Sequence, residues 1–600
     1  MEKVKKIKPR GQVKTQDTWD LTKLFKSDAA WEKSFKKLNN QIVGFKKFKG
    51  TLSKSASALA ACLTFEMEFD KLAEKLSSYA FLKSSQNVGD STYQEMLARY
   101  TNVATSAMET ASFISPEIQA ISKRKLLEFL KSPSLKIFKF QLEQLLRYKN
   151  HILSPKEERL LAMQGEVAGT ASRIFDQLND ADLKFGFVKD ENKTKVELTQ
   201  SSYSTLLESP LRSVRKTTAT QYYKVYSQHS NTLAATYSSS VLQDIYLAKA
   251  RNHKSSLEAS LYSDNVPKKV YDNLISAVHK NIEINYRYLE LRRKALKLKQ
   301  LHFYDTYVPI VQTARVKTPY NKAVKTIIDA VAPLGKSYCN TLKKGLTDRW
   351  VDKYENLGKR SGAFSAGGFS GPPYILMNYQ NSSISSVFTL AHEAGHSMHT
   401  YYSALNQPYP DYDYTIFVAE VASTFNEQLL TKHLMSKARD KKTRAYLLNR
   451  EIGQIRATLI RQTMFAEFEK ITHQIAESGE GLTLQRLRDE YKKLLKFYFG
   501  PQFAIDDYLD LEWARIPHFY SAFYVYKYAT GLAAAITLCD LVVNGGKKEQ
   551  RDYLNFLSSG GSRYPLDLLR AAGVDLEKPA PVNNAMERLG HLIDELETLI

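Results

Sequence analysis

Apolar residues recur along this chain at spacings of three and four. In SASALAACLTFEMEFDKLAEKLSSYAFL (55–82) and VYDNLISAVHKNIEINYRYLELRRKALKL (270–298) they fall at i, i+3, i+4 and i+7, the signature of helices with one buried face. The same period runs through most of the sequence, which predicts a mostly α-helical fold. Chain breakers are few, with 26 Gly and 18 Pro in 600 residues, and they cluster, so short strands joined by frequent tight turns are excluded. No fixed repeat length is present, which excludes a regular solenoid.

Two places break the helical period. The polar stretch VKDENKTKVELTQSS (188–202) predicts a short hairpin. In SGAFSAGGFSGPPYILMNYQNSSISS (361–386), a Gly-rich loop and Pro372-Pro373 lead into PYILMNY, whose β-forming residues predict a strand just before the next helix. These breaks divide the chain into an N-terminal helical segment (1–115), a second helical piece (116–200) and a long helical body (205–590).

Composition narrows the class. The hydrophobic share of 43% and charged share of 25% suit a soluble globular protein. The most apolar window, ATGLAAAITLCDLVV (529–543), contains Asp540 and reads as a buried helix rather than a membrane span. The first sixteen residues are basic without a following apolar stretch, so they read as a disordered arm and the protein as cytoplasmic. Cys62, Cys339 and Cys539 lie far apart, which offers no disulfide framework and no paired-thiolate metal site. The net charge of +22 raises the question of nucleic acid, but the basic runs carry no base-reading motif. Specific nucleic-acid and membrane partners are therefore not expected.

Candidate chemistry sits in the helix SSVFTLAHEAGHSMHTYYSAL (385–405). His392 and His396 are one helical turn apart, so both imidazoles reach one cation, and neutral nitrogen donors suit Zn²⁺. Glu393 points to a neighbouring sector, where it can take a proton from a water activated by the metal and pass it to a leaving amine. Structural histidines are the competing reading, but an apolar helix carrying two imidazoles and a carboxylate needs a reason for them.

Two residues compete as third ligand. His399 shares the face of His392, but a straight helix carries it about 10.5 Å along the axis, and no glycine turns the chain after the motif. Glu420 lies in YTIFVAEVASTFNEQLL, where Ile416, Phe417, Val418, Val421 and Phe425 surround it with apolar surface, so its carboxylate needs a partner. Helix geometry favours Glu420. Glu427, two turns on, reads equally as a support for a ligand or as a surface charge.

HEAGH followed by FVAEVASTFNE (417–427) resembles the thimet-type zinc peptidases of family M3, in their oligoendopeptidase F branch. The likeness extends to DTWDLTKLF (17–25), ARNHKSSLEASLYSDNVP (250–267), FYDTYVP (303–309), RWVDKYENLGKRSGAFSAGG (349–368) and RIPHFYSAFYVYKYATG (515–531), which together span most of the chain. The resemblance implies a prolate helical body with a deep substrate channel, one zinc ion at its floor and a small β element beside the zinc helix. It maps the metal ligands to His392, His396 and Glu420 and the catalytic glutamate to Glu393. It implies that the strand Tyr374 to Tyr379 pairs with substrate backbone. Substrate binding and oxyanion stabilisation fall on His518 and the cluster Tyr520, Tyr524, Tyr526 and Tyr528, with Tyr524 and Tyr526 as the candidate donors. Some relatives place an acidic residue a turn before the first His; here it is Phe388, which leaves the partner that orients His392 unassigned.

The implied activity is zinc-dependent endopeptidase cleavage of short oligopeptides. A zinc carboxypeptidase on a related helical fold and a non-catalytic peptide-binding protein are the alternatives.

Overall fold

The computed structural model describes residues 7–311 and 317–600. The fold is helical with three small sheets among the described residues, as the period of the sequence predicts. It divides into two compact units, each assembled from segments distant in sequence.

The first unit takes Met1–Asn150, Arg315–His433 and Leu538–Val574. Its N-terminal part packs the helices Asp28–Gln41, Ala56–Gln86 and Ser91–Ala111. Ser55 starts the long helix by accepting the N–H of Ala58 at 3.1 Å, a side-chain cap on an otherwise orphaned donor. The core gathers Trp31, Leu38, Phe45, Leu59, Leu76 and Leu82, and Trp31 Nε1 donates to the Leu76 carbonyl at 2.9 Å. Tyr374 and Leu376 belong to the same cluster. The strand that precedes the HEAGH helix is therefore anchored in the core of the N-terminal helices.

That strand, Tyr374–Leu376, is the middle of a three-stranded sheet. It pairs in parallel with Val351–Asp352 (Val351 opposite Ile375) and antiparallel with Phe364–Ala366 (Ser365 opposite Ile375). Lys359, whose side chain is fully buried, fastens the sheet: its ammonium pairs with Asp352 at 2.7 Å and donates to the carbonyls of Tyr354 and Met377.

The expected disordered arm is corrected in its described part. Lys8 accepts from the Leu357 N–H at 2.9 Å, and Arg10 donates to the buried Asp352 at 2.9 Å. The basic residues here are recruited to neutralise a buried carboxylate; residues 1–6 lie outside the described residues.

The second unit takes His151–Ala314, Leu434–Thr537 and Asp575–Ile600. It contains the predicted hairpin, Phe187–Lys189 against Lys195–Glu197. A buried ion cluster fixes its centre: Glu512 accepts from Arg461 at 2.6 Å, from Arg515 at 3.0 Å and from Tyr491 at 2.7 Å. Among the described residues, one helix, Tyr526–Asn544, is long and apolar enough to cross a membrane by composition, and two thirds of its apolar window is buried within the protein. It is a core helix, as its Asp540 suggested.

Candidate metal centre

The HEAGH motif lies mid-way along the helix Ile384–Asn406. After the short turn Tyr409–Tyr412 the chain doubles back into the helix Ile416–Lys437, which carries Glu420. The two helices meet at Gly395. A Cβ built there would lie 2.5 Å from the Ala422 carbonyl oxygen and 2.6 Å from Ser423 Cα, both backbone atoms. Only a residue without a side chain allows this approach, and it brings Glu420 up to the histidines.

His392 Nε2 lies 3.3 Å and His396 Nε2 lies 3.6 Å from the same oxygen, Glu420 Oε2. All three donor atoms fall within 4.8 Å of one another. The imidazole planes are close to perpendicular, at 81°. Ligands about 2.1 Å from a common tetrahedral centre stand about 3.4 Å apart, so the two measured separations are those of donors spaced for one small cation. Ser423 Oγ donates to Glu420 Oε2 at 3.0 Å and steadies the carboxylate.

The electrostatics fit the same use. Burial opposes charge on His392, yet hydrogen bonds to Glu420 and Glu427 push its pKa up to about 10. Burial works to raise Glu420, but the hydrogen bond from His392 and the charges of both histidines hold it down at about 2. Burial, reinforced by the charge on His392, lowers His396 to about 4. A cation held between these donors would take the place of the proton that His392 shares with Glu420. Glu393 is 7% exposed and outside the donor cluster. Burial pushes its pKa up to about 7, against the charge on His392 and a hydrogen bond from the Ser365 backbone. A carboxyl poised near neutrality accepts and returns a proton readily.

The other candidates separate clearly. His399 is 1% exposed, its ring stacked on Tyr414 at 3.6 Å, and burial lowers its pKa to about 3. It is a core histidine and stands outside the donor cluster. Glu427 is buried and accepts from His392 Nδ1 at 2.7 Å. It is the partner that Phe388, itself buried, cannot be. Glu420 and Glu427 are seven residues apart, two turns on one face, so a single helix addresses both ring nitrogens of His392. This contact fixes the tautomer and leaves Nε2 free to ligate. Gly395 and Ser365 are singled out by no motif role. The signal for Gly395 is a glycine inside a strong helical pattern, which costs stability and so needs a packing reason.

The expectation that Tyr374 to Tyr379 pairs with substrate is overturned. Both sides of Tyr374–Leu376 are occupied by neighbouring strands, and a paired strand has no groups left to offer. The free edge on the HEAGH side is Phe364–Ala366, where Ser365 Oγ meets Ser397 Oγ of the motif helix at 2.8 Å and the Ser365 backbone addresses Glu393.

In the second unit, His518 is exposed and Tyr524 and Tyr528 are partly so. His518 Nε2 lies 3.4 Å from the Tyr528 hydroxyl, and its ring stacks on Tyr524 at 6.0 Å. Tyr526 is corrected: it is fully buried, its ring against Tyr271 at 5.1 Å. Tyr526 opens the helix Tyr526–Asn544 and faces the core, whereas Tyr528, two residues on, turns to the other side and meets the Tyr524 ring at 5.3 Å. Tyr520 packs on Phe175 at 4.5 Å.

Known proteins resemble the whole chain. The sequence model described as peptidase family M3 matches residues 205–588, and the one described as oligopeptidase F matches residues 117–185. The oligopeptidase PepF of Bacillus subtilis is 42% identical over 603 residues, covering 100% of this chain and 89% of its own. A solved structure from Chlamydophila abortus superposes with a TM-score of 0.94 at 35% identity, covering 99% of this chain and 100% of that one. The oligoendopeptidase-F of Enterococcus faecium superposes with a TM-score of 0.75 at 33% identity, covering 95% and 99%. With a His-His-Glu donor set on the matched segment and this likeness along its full length, the chain belongs to peptidase family M3, in its oligoendopeptidase F group, and is a metalloendopeptidase.

Proposed function

We propose that one Zn²⁺ per chain is held by His392 Nε2, His396 Nε2 and a Glu420 carboxylate oxygen, and that the enzyme cuts internal bonds of short oligopeptides. The observation that carries this reading is the pair of donor separations, 3.3 and 3.6 Å, on one carboxylate oxygen. Two neutral nitrogens and one carboxylate oxygen are a zinc donor set of the catalytic kind, with a position left over. When bound, the ion supplies positive charge that polarises the scissile carbonyl and acidifies a water.

The rest falls to the protein. Glu393 takes the proton from the attacking water and returns it to the leaving amine, a role supported by its pKa near 7. Glu427 holds His392 in the ligating tautomer. The substrate backbone lies along the edge strand Phe364–Ala366, which carries it past Glu393. His518 and Tyr524 contact the substrate, and a neutral phenol there suits the charge that develops on the carbonyl oxygen. Tyr526, buried against Tyr271, has no substrate role in this reading. Cys62, Cys339 and Cys539 form no disulfide among the described residues, which agrees with a reducing, cytoplasmic setting.

Internally quenched peptides of graded length test the reading. Cleavage at internal bonds, declining with length, lost on chelation and restored by Zn²⁺, is expected. Glu393→Gln should retain zinc and lose about 10²–10⁴-fold in rate. Release of only the C-terminal residue would instead establish a carboxypeptidase, and zinc-loaded protein that cuts nothing would establish a peptide-binding protein.

A further inference from the structure

The segment that carries His518 and Tyr524 is built around a backbone outlier. Phe523 has φ of +56°, a left-handed conformation that bulky L-residues rarely adopt and that a turn normally assigns to glycine. One tight turn precedes it and a second contains it: Ser521 N–H donates to the His518 carbonyl at 2.9 Å, and Tyr524 N–H to the Ser521 carbonyl at 3.2 Å. The positions of His518 and Tyr524 therefore follow from the conformation at Phe523.

Three anchors impose that conformation, all within the second unit. The Phe523 N–H donates to Glu469 Oε1 at 2.8 Å. Ser260 Oγ donates to the Ala522 carbonyl at 3.2 Å. Lys527 pairs with Asp264 at 2.7 Å. The Phe523 ring, 1% exposed, packs against His473 at 4.5 Å and Tyr271 at 5.9 Å.

Glu469 is the unusual member. It is 0% exposed, and its Oε2 has no hydrogen-bond partner among the described residues. Burial drives its pKa well above the carboxylate range, with Asp244 adding to the rise and the Phe523 N–H opposing it. Burial thus favours the protonated acid, and one of its oxygens accepts a single backbone N–H. A core that needed only filling would take an apolar residue here, because a buried carboxyl with one oxygen unpaired is costly. Strained backbone persists where surrounding structure imposes it, and it gathers at functional sites.

We infer that Glu469 is a positioning residue, which holds the left-handed Phe523 backbone and thereby sets His518 and Tyr524 for the substrate. The inference rests on the proposed contact of those two residues with substrate.

The test uses full-length zinc-loaded enzyme, with kcat, KM, bound zinc and melting temperature measured separately. Glu469→Gln keeps a neutral acceptor and should stay within about threefold of the parent, since the single hydrogen bond survives. Glu469→Met keeps the shape without the acceptor. It should lose on the order of 100-fold in kcat/KM, the effect of misplacing an orienting group by about 1 Å, with zinc content unchanged. Combined with His518→Ala, it should add nothing to the loss from His518→Ala alone. A folded Met variant with parental kinetics, or a strictly additive double variant, overturns the inference. Should the Met variant not fold, Ser260→Ala removes a second anchor at a half-buried position. A loss of about 2–10-fold that is non-additive with His518→Ala is expected, and no loss or an additive one overturns. If His518→Ala and Tyr524→Phe each leave activity intact, the substrate contact itself fails, which separates that failure from a failure of the anchor.

Discussion

Gly395→Ala tests whether helix approach, rather than the identity of the ligands, sets the metal affinity. The new Cβ would sit 2.5 Å from the Ala422 carbonyl oxygen and 2.6 Å from Ser423 Cα, where ordinary contact begins at 3.4 Å. Both obstacles are backbone, so no rotamer relieves the overlap, and the helices must part by about 1 Å. Zinc sites hold their ligand distances to about 0.2 Å, so a shift of this size at Glu420 cannot be absorbed by all three donors. Overpacking of this kind costs about 1–3 kcal/mol, which corresponds to a zinc affinity weaker by about 5–150-fold. The assay is zinc competition against a chromogenic chelator, with circular dichroism to confirm the helices. Gly453→Ala is the control: this helical glycine has nothing within 4 Å of its would-be Cβ, so the substitution should leave affinity unchanged and stabilise slightly. Parental zinc affinity in Gly395→Ala would refute the reasoning.

Three further outcomes are expected. Glu420→Gln should lose bound zinc, whereas His399→Ala should keep it and melt at lower temperature, because its ring fills a stacked core position; metal analysis of the two variants decides. Glu427→Ala should weaken zinc binding by about 10–100-fold by freeing the His392 ring, read by the same chelator titration. Glu66 lines a cavity of about 600 Å³ in the first unit, and burial, with Asp70 one turn on, pushes its pKa up to about 7. An acid raised in the folded state binds its proton more tightly there, so stability falls as pH climbs from about 4.5 to about 7. Glu66→Gln should therefore raise the melting temperature at pH 8 and leave it unchanged at pH 4; an equal shift at both values would contradict the burial argument.

Local geometry made much of this protein legible in one dimension. The helical fold follows from a period that each segment carries by itself. The convergence of His392 and His396, with Glu393 turned aside, follows from the angle between residues on one helix. Glu420 could be read because an apolar stretch leaves a carboxylate no cheap place except beside a cation. The hairpin at 187–197 and the short strand at 374–376 were likewise announced by breaks in the period.

Tertiary structure decided what depends on which faces meet. His399 shares a helix with His392 and His396, but Tyr414 claims its ring, and no spacing rule reveals that stack. Glu427 looked as much like a surface charge as a partner until the second helix, admitted by Gly395, set it against His392. Sheet order turned Tyr374–Leu376 into an interior strand and left Phe364–Ala366 as the edge, because pairing partners 8 to 24 residues away consume hydrogen bonds that the strand's own sequence leaves open. The tyrosines divided in the same way: helix phase separates Tyr526 from Tyr528, but only packing says which face is inside. A helix sets angles among its own residues, whereas the partner of each face comes from chain segments that the local sequence does not encode.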